Sequence, residues 1–232
     1  MRKLQLAALG FFILLGFTGC KKNTTADIGL ADVFVQTIKN PADTSQTLYA
    51  VVNSVISTNI MTSATVVAPN NSTMQLANYA NSGNSFYNDP VYSATSPSPG
   101  VYNYSVKFQD GQSMAYSNTL LTTTLPPPFI KSLSKTVLGD SIKIVWKAIP
   151  NAQAYTLKVT TGTGASSVLV FYAAPFYDSS TIPKAILTYG LPIGSVSYGA
   201  GIYTFELDAL LYESTAYTYV QAIGISTKDI TL

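Results

Sequence analysis

Histidine is absent from this 232-residue chain, and cysteine occurs once, at Cys20. Without imidazole the chain has neither the commonest general base nor the commonest metal ligand, so ordinary hydrolase and zinc chemistry are not expected. A single thiol excludes any disulfide within the chain. Arginine is confined to Arg2, and beyond Lys3 eleven lysines face eleven acidic residues. A neutral chain without arginine lacks the phosphate-pairing groups and the basic stripe that nucleic-acid affinity needs, so a nucleic-acid partner is set aside. Charged residues make up only 10% of the chain. No segment after residue 17 has the length or apolar continuity to span a bilayer as a helix.

Hydrophobic residues are plentiful at 47%, with 16 tyrosines and many Ser, Thr and Asn. That is the composition of β-sheet whose outer faces are polar without being charged. Two stretches carry the clearest pattern: Gly100-Val101-Tyr102-Asn103-Tyr104-Ser105-Val106-Lys107-Phe108 and Gly201-Ile202-Tyr203-Thr204-Phe205-Glu206-Leu207-Asp208-Ala209. In each, apolar residues recur at every second position between polar ones, which specifies a strand with one buried face. The copies lie 101 residues apart. That is close to the length of one small β-sandwich, so two successive units of one kind are expected.

At the amino terminus, Arg2 and Lys3 precede an apolar run from Leu4 to Phe17 that ends in Thr18-Gly19-Cys20. The run is about 14 residues, short of the ~20 a spanning helix requires, and it reads as a signal peptide over residues 1–19. The small residues before the cysteine resemble the lipobox of bacterial lipoproteins, with Phe17 in place of the usual Leu. The resemblance implies that Cys20 is acylated and becomes the first residue of the mature chain. Lipidation also accounts for a lone cysteine in an oxidising envelope. Several acyl chains at one residue anchor more firmly than a single chain. Residues 20–27 then form a polar lipidated tether. Lys21 is not the Asp that signals inner-membrane retention in such lipoproteins, so the resemblance implies outer-membrane placement, on either face.

A first unit is expected over residues 28–123. Val33, Val35 and Thr37 alternate with Asp32, Phe34 and Gln36, and the run stops at Asn40-Pro41. Leu48 to Ile56 is apolar on both faces in its middle, as befits a central strand. Residues 81–100 are rich in Ser, Asn, Pro and Gly and carry Phe86, Tyr87 and Tyr92. Such a loop either caps the core or offers rings to a sugar face while Asn and Ser bond its hydroxyls. Asp110-Gly111 turns the repeated strand into a hairpin, in an order that resembles the closing hairpin of bacterial immunoglobulin-like domains. Pro126-Pro127-Pro128, within a linker at residues 124–128, is expected to be stiff and to hold two modules apart.

The second unit, residues 129–232, opens with a specific pattern. Ile142, Ile144 and Trp146 share one face, a Pro150-Asn151 turn follows, and Tyr155, Leu157 and Val159 alternate with Thr156, Lys158 and Thr160. Trp146, Pro150, Ala152 and Tyr155 resemble the second-strand tryptophan, turn and third-strand opening of bacterial fibronectin type III domains. The fold class implied is all-β, with two tandem immunoglobulin- or fibronectin III-like sandwiches. Phe171, Tyr172, Phe176 and Tyr177 form a second aromatic patch, read either as an edge strand tucked on the core or as a ligand contact. No strand pairing is assigned over residues 171–197.

Catalytic options are few. Glu206 and Asp208 lie two apart on one strand, with Cβ atoms about 7 Å apart, and paired carboxylates can hydrolyse glycosides. Two neighbours on one strand do not easily flank a bond, and a solvated strand face is the plainer reading. Glu206, Asp208 and Glu213 could bind calcium but lack a recognisable loop. The chain therefore reads as a non-enzyme without cofactor or metal. It resembles small lipid-anchored envelope proteins of Bacteroidota, which implies a binding or spacer role toward glycan or a partner envelope protein. A structural assembly component and a glycosidase using Glu206 and Asp208 are the alternatives.

Overall fold

In the computed structural model the alternation of period two is realised as strands throughout. The described residues are 29–135, 141–162, 167–177, 186–192, 200–214 and 219–231. The signal peptide, Cys20 and the tether lie outside them. Strands β1 (Gly29–Lys39), β2 (Thr47–Ser57), β3 (Met61–Val67), β4 (Thr73–Gln75), β5 (Ala77–Asn78), β6 (Ser85–Tyr87), β7 (Gly100–Phe108) and β8 (Ser113–Leu120) make up the first half. The second half contains β9 (Ile130–Lys135), β10 (Ser141–Lys147), β11 (Ala154–Thr161), β12 (Val168–Tyr177), β13 (Ile186–Pro192), β14 (Ile202–Tyr212) and β15 (Val220–Thr231).

The repeated segments are β7 and β14, and they hold equivalent places. β7 lies between β3 and β8, and β14 lies between β11 and β15. Tyr102 and Tyr203, near their starts, are both buried, as are Phe205, Leu207 and Ala209. Among the described residues two main cores result, beside a smaller cluster of Ala154, Leu210 and Tyr212. One gathers Val33, Val35, Val55, Met61, Tyr104, Val106 and Phe108. The other gathers Ile142, Ile144, Trp146, Tyr155, Leu157, Phe205 and Leu207. The turns that set register behave as their residues dictate. Asn151 takes a left-handed φ of 69° in the Pro-Asn turn, closed by Ala152 N–H donating to Ile149 O at 3.1 Å. The segment left unassigned in sequence resolves into β12 pairing with β11 and β13 pairing with β10.

The two sandwiches are not held apart. An eight-stranded sheet in the order β12-β11-β14-β15-β1-β2-β6-β5 runs through both of them. Smaller sheets, β13-β10-β9 and β4-β3-β7-β8, complete the two sandwiches. The join is a parallel pairing of β1 with β15, in the register Val35↔Ala222, Gln36↔Ile223, Thr37↔Gly224. Val35 belongs to the first core and Ala222 to the second. Since registered partners share a face, both cores lie on one side of the long sheet.

The proline linker, expected as an extended spacer, is instead strapped across this seam. Leu125 is buried in the second core. Thr37 Oγ1 donates to Leu125 O, and Ser226 Oγ donates to Pro128 O. Between them Gly224 lies so close under the linker that a Cβ there would stand 2.4 Å from Pro126 O. Backbone meets backbone at that point, so no rotamer change can relieve a side chain.

Asp32 adds a polar clamp to the same seam. Its Oδ2 accepts from Val220 N at 2.9 Å and its Oδ1 from Asn118 Nδ2 at 3.0 Å, so one carboxylate ties β1 to β15 and β8. Burial lifts its pKa from 3.8 to about 6, and nearby Glu213 adds to the rise against the Val220 hydrogen bond. The folded chain thus keeps a proton that the unfolded chain releases between these pH values. This carboxylate therefore lowers stability as pH rises from about 4 to about 6.

Gly224→Ala tests the close approach. It is expected to destabilise the protein by about 1–3 kcal/mol through forced backbone displacement, read as a drop in the urea midpoint. Gly111→Ala, at a turn where a Cβ meets nothing within 4 Å but φ is +88°, is the control for backbone strain alone.

Candidate functional site

The face of the long sheet turned away from the cores carries a cross-strand row of polar and aromatic side chains. Lys158 of β11 is registered with Tyr172 of β12 on one side and with Glu206 of β14 on the other, and Glu206 is registered with Thr227 of β15. Four strands at a spacing of about 4.8 Å place the ends of this row about 14 Å apart.

At its centre Lys158 Nζ lies 2.5 Å from Glu206 Oε1 and 3.1 Å from Asp208 Oδ2. Thr156 Oγ1 donates to the same Asp208 oxygen at 2.9 Å. Asp208 is only 5% exposed, and its Oδ1 has no hydrogen-bond partner among the described residues. Burial raises the Asp208 pKa against the opposing pull of Lys158. For Lys158, burial disfavours the ammonium, but Asp208 and then Glu206 outweigh it and hold the pKa above its ordinary value.

These distances correct the expectation of a solvated strand face. The two carboxylates share one ammonium, one of them inside the protein, so they do not stand on opposite sides of a space in which a glycosidic bond could sit. Nor do they meet Glu213, whose charge acts on Asp32 instead. Among the described residues no group of three or more His, Cys, Asp or Glu side chains is placed to hold a metal ion.

A groove of ≈ 700 Å³ opens beside this cluster, lined by Ile38, Lys39, Tyr92, Phe129, Glu206 and Lys228 among others. Its origin is topological. β1 pairs with β15 only through Thr37↔Gly224 and ends at Lys39, whereas β15 runs on to Thr231. The gap left between them is walled by the linker on one side and by the loop between β6 and β7 on the other. That loop is pinned to β2 by a two-way backbone bridge between Ser93 and Tyr49. Tyr92 OH donates to Gln36 Oε1 at 3.1 Å, fixing its ring over β1. Burial, then the charges of Glu206 and Asp208, raise the Tyr92 pKa. Phe129 is 60% exposed, with Lys147 Nζ 5.5 Å from its ring centre.

No protein-family model matches this chain, and no curated protein is similar to it. Among solved structures it is similar to a tetra-tandem repeat in the extending region of a large adhesion protein. That likeness is at 14% identity over 88% of this chain and 50% of that one, with a TM-score of 0.29. It is also similar to the BSP domain of a biofilm associated protein, at 14% identity over 86% of this chain and 29% of the other, TM-score 0.25. A third likeness is to murine CEACAM1b, at 12% identity over 87% and 98% of the two chains, TM-score 0.22. The chain thus spans about half the length of the first of these structures. At such low TM-scores none of them assigns a residue or a partner, and the fold rests on the strand pairing itself.

The aromatic residues singled out in sequence do not share one environment. Phe86 is corrected from ligand contact to core, at 4% exposure. Phe176 packs 6.1 Å from Trp146 and 6.3 Å from Tyr155, and Phe171 is partly buried against the same core. Tyr87 pairs with Tyr79, ring centres 5.1 Å apart, away from the groove. The side chain of Tyr177 lies outside the described residues. Tyr92 lines the groove, and Tyr172, 50% exposed, stands at the far end of the row. Phe129, Lys39 and Lys228 were not singled out. They come from separate segments with no shared motif, so only the folded chain brings them together.

Lys158→Met is expected to destabilise the protein by about 1–3 kcal/mol. Removing one partner leaves Asp208 buried and uncompensated, and the 39% exposure of the lysine side chain tempers the loss. Adding Asp208→Asn should recover most of it, a coupling that a double-mutant cycle in urea measures directly.

Proposed function

We propose that this is a non-enzymatic envelope protein, lipid-anchored through Cys20 at the outer membrane, whose two fused sandwiches hold a glycan-binding groove at their seam. The observation that carries the reading is the meeting of Tyr92 with Glu206. An aromatic loop from one half and a carboxylate strand from the other converge on one groove. The volume falls within the roughly 300–1,000 Å³ usual for ligand sites. A ring pinned by Gln36 needs little ordering on binding, and preorganisation of this kind converts contact into affinity. Glu206 and Thr227 supply acceptors and donors for hydroxyl groups, and Tyr92 and Phe129 supply faces for sugar rings.

A fused body is also what a structural component of a surface assembly needs, and it is the second reading. The seam favours it, because a continuous sheet transmits position better than a swinging linker. The roles are separated by a glycan array probed with the wild-type protein and with Tyr92→Ala. A binder gives saccharide signals that the variant loses. A pure spacer gives none from either protein. In the same strain, Cys20→Ser should move the protein from the membrane fraction to the soluble fraction and abolish labelling by an alkyne fatty acid. Retention of label would refute the anchor.

A further inference from the structure

Resting on the reading of the protein as a structural component of an assembly, we infer that the groove takes an extended segment of a partner protein, added as a strand to β15 beyond the point where β1 leaves it. Ile225, Ser226, Thr227 and Lys228 all line the groove. Successive residues of a strand point to opposite faces, so a cleft that meets four in a row meets the strand edge itself. β14 pairs with β15 as far as Thr231, whereas β1 pairs with it only as far as Gly224. From Ile225 onward the backbone on the β1 side has no ladder partner among the described residues. The neighbouring strand β9 belongs to a smaller sheet and pairs with β10. A sheet edge open in a cleft is a template for a further strand, with main-chain hydrogen bonds supplying affinity and alternate side chains selectivity. Upstream, β1 already uses this edge in parallel, and the incoming segment continues that pairing.

The two walls fix the chemistry of the segment. Ser226 is registered with Leu207 and Lys228 with Phe205, both of the second core. On that side the wall is made by Pro127, Pro128 and Ile130, all buried. Side chains turned to it are apolar, and Lys228 beside it disfavours a cation there. Thr227 is registered with Glu206 on the opposite face, and Tyr92 lines the groove with them. Here two acids share one ammonium, and the charges of Glu206 and Asp208 act on Tyr92 more strongly than that of Lys158. Lys39, at the mouth, acts on the exposed Asp43. Side chains turned to the Tyr92 wall are therefore basic. The segment alternates apolar and basic residues over about four positions, roughly 13 Å of strand.

The test is fluorescence polarisation of the full-length protein in detergent with a labelled heptapeptide of alternating lysine and valine. Its glutamate and valine counterpart, and a lysine and valine peptide methylated at every backbone nitrogen, are the comparisons. Saturable binding of the first peptide alone is expected. It should weaken about twofold to fivefold in Glu206→Gln, the worth of one partly exposed ion pair, while Asp208 still holds Lys158. Undiminished binding of the methylated peptide overturns strand addition, equal binding of the glutamate peptide overturns the charge assignment, and no binding of any peptide overturns the inference outright. A photoreactive residue at Thr227, with one at Ser117 on β8 as the control, both positions being exposed, tests the underlying reading in the native strain. A cross-link from Thr227 to another protein is expected. Cross-links from Ser117 alone overturn strand addition but keep the assembly reading, and none from either removes both. A cross-link from Thr227 to a second copy of this chain overturns the partner assigned. Array signals lost in Tyr92→Ala, without peptide binding, return the groove to a glycan.

Discussion

The structure depends on one short parallel pairing, three residues of β1 against three of β15, and on the absence of a side chain at Gly224 that lets the linker backbone lie across it. Parallel pairs are somewhat weaker per residue than antiparallel ones. This one is reinforced by groups that are themselves buried. Thr37 is fully buried with its hydroxyl on Leu125 O, and Asp32 spends a carboxylate on the first amide of β15. Removing these polar groups from water is costly unless each finds a partner, and here the partners lie in the other half of the chain. The seam is therefore specified rather than incidental.

The groove follows from the same constraint. Because β1 leaves the sheet after Lys39 while β15 continues, a cleft must open at the point of divergence, and whatever lines it comes from both sandwiches. The Lys158, Glu206 and Asp208 cluster sits on the adjoining face. Its lysine is shared between one carboxylate that is buried and another that reaches the cleft. In this arrangement the acids work as a fixed electrostatic floor, with their positions set by cross-strand register. Within the cluster the charges of Lys158, Glu206 and Asp208 are tied up in one another.

Much of the fold was legible in sequence because its signals are local. The period-two alternation of β7 and β14, the Asp110-Gly111 hairpin and the Ile142, Ile144, Trp146 face each state their own burial, and each appears as read. The seam was illegible for a physical reason. Asp32 and Val220 meet across 188 residues, and a parallel pairing leaves no turn or spacing that announces it. Pro126 to Pro128 gave no direction, since a stiff segment can separate modules or brace them. Glu206 and Asp208 were assigned to water because alternation separates two faces without saying what covers the second. Phe86 and Phe176 went astray in the opposite sense, since aromatic content in a loop-like segment does not reveal which rings turn inward. The same criterion also picked out Tyr92 and Tyr172, whose rings stay at the groove and on the open face.

The central claim is that a shared sheet makes the two sandwiches one cooperative unit. Differential scanning calorimetry at neutral pH tests it most directly, by comparing the calorimetric and van't Hoff enthalpies of unfolding. The account predicts a single transition in which the two enthalpies agree. Two resolved transitions, or a calorimetric enthalpy about twice the van't Hoff value, would show that the sandwiches unfold independently and that the seam does not couple them.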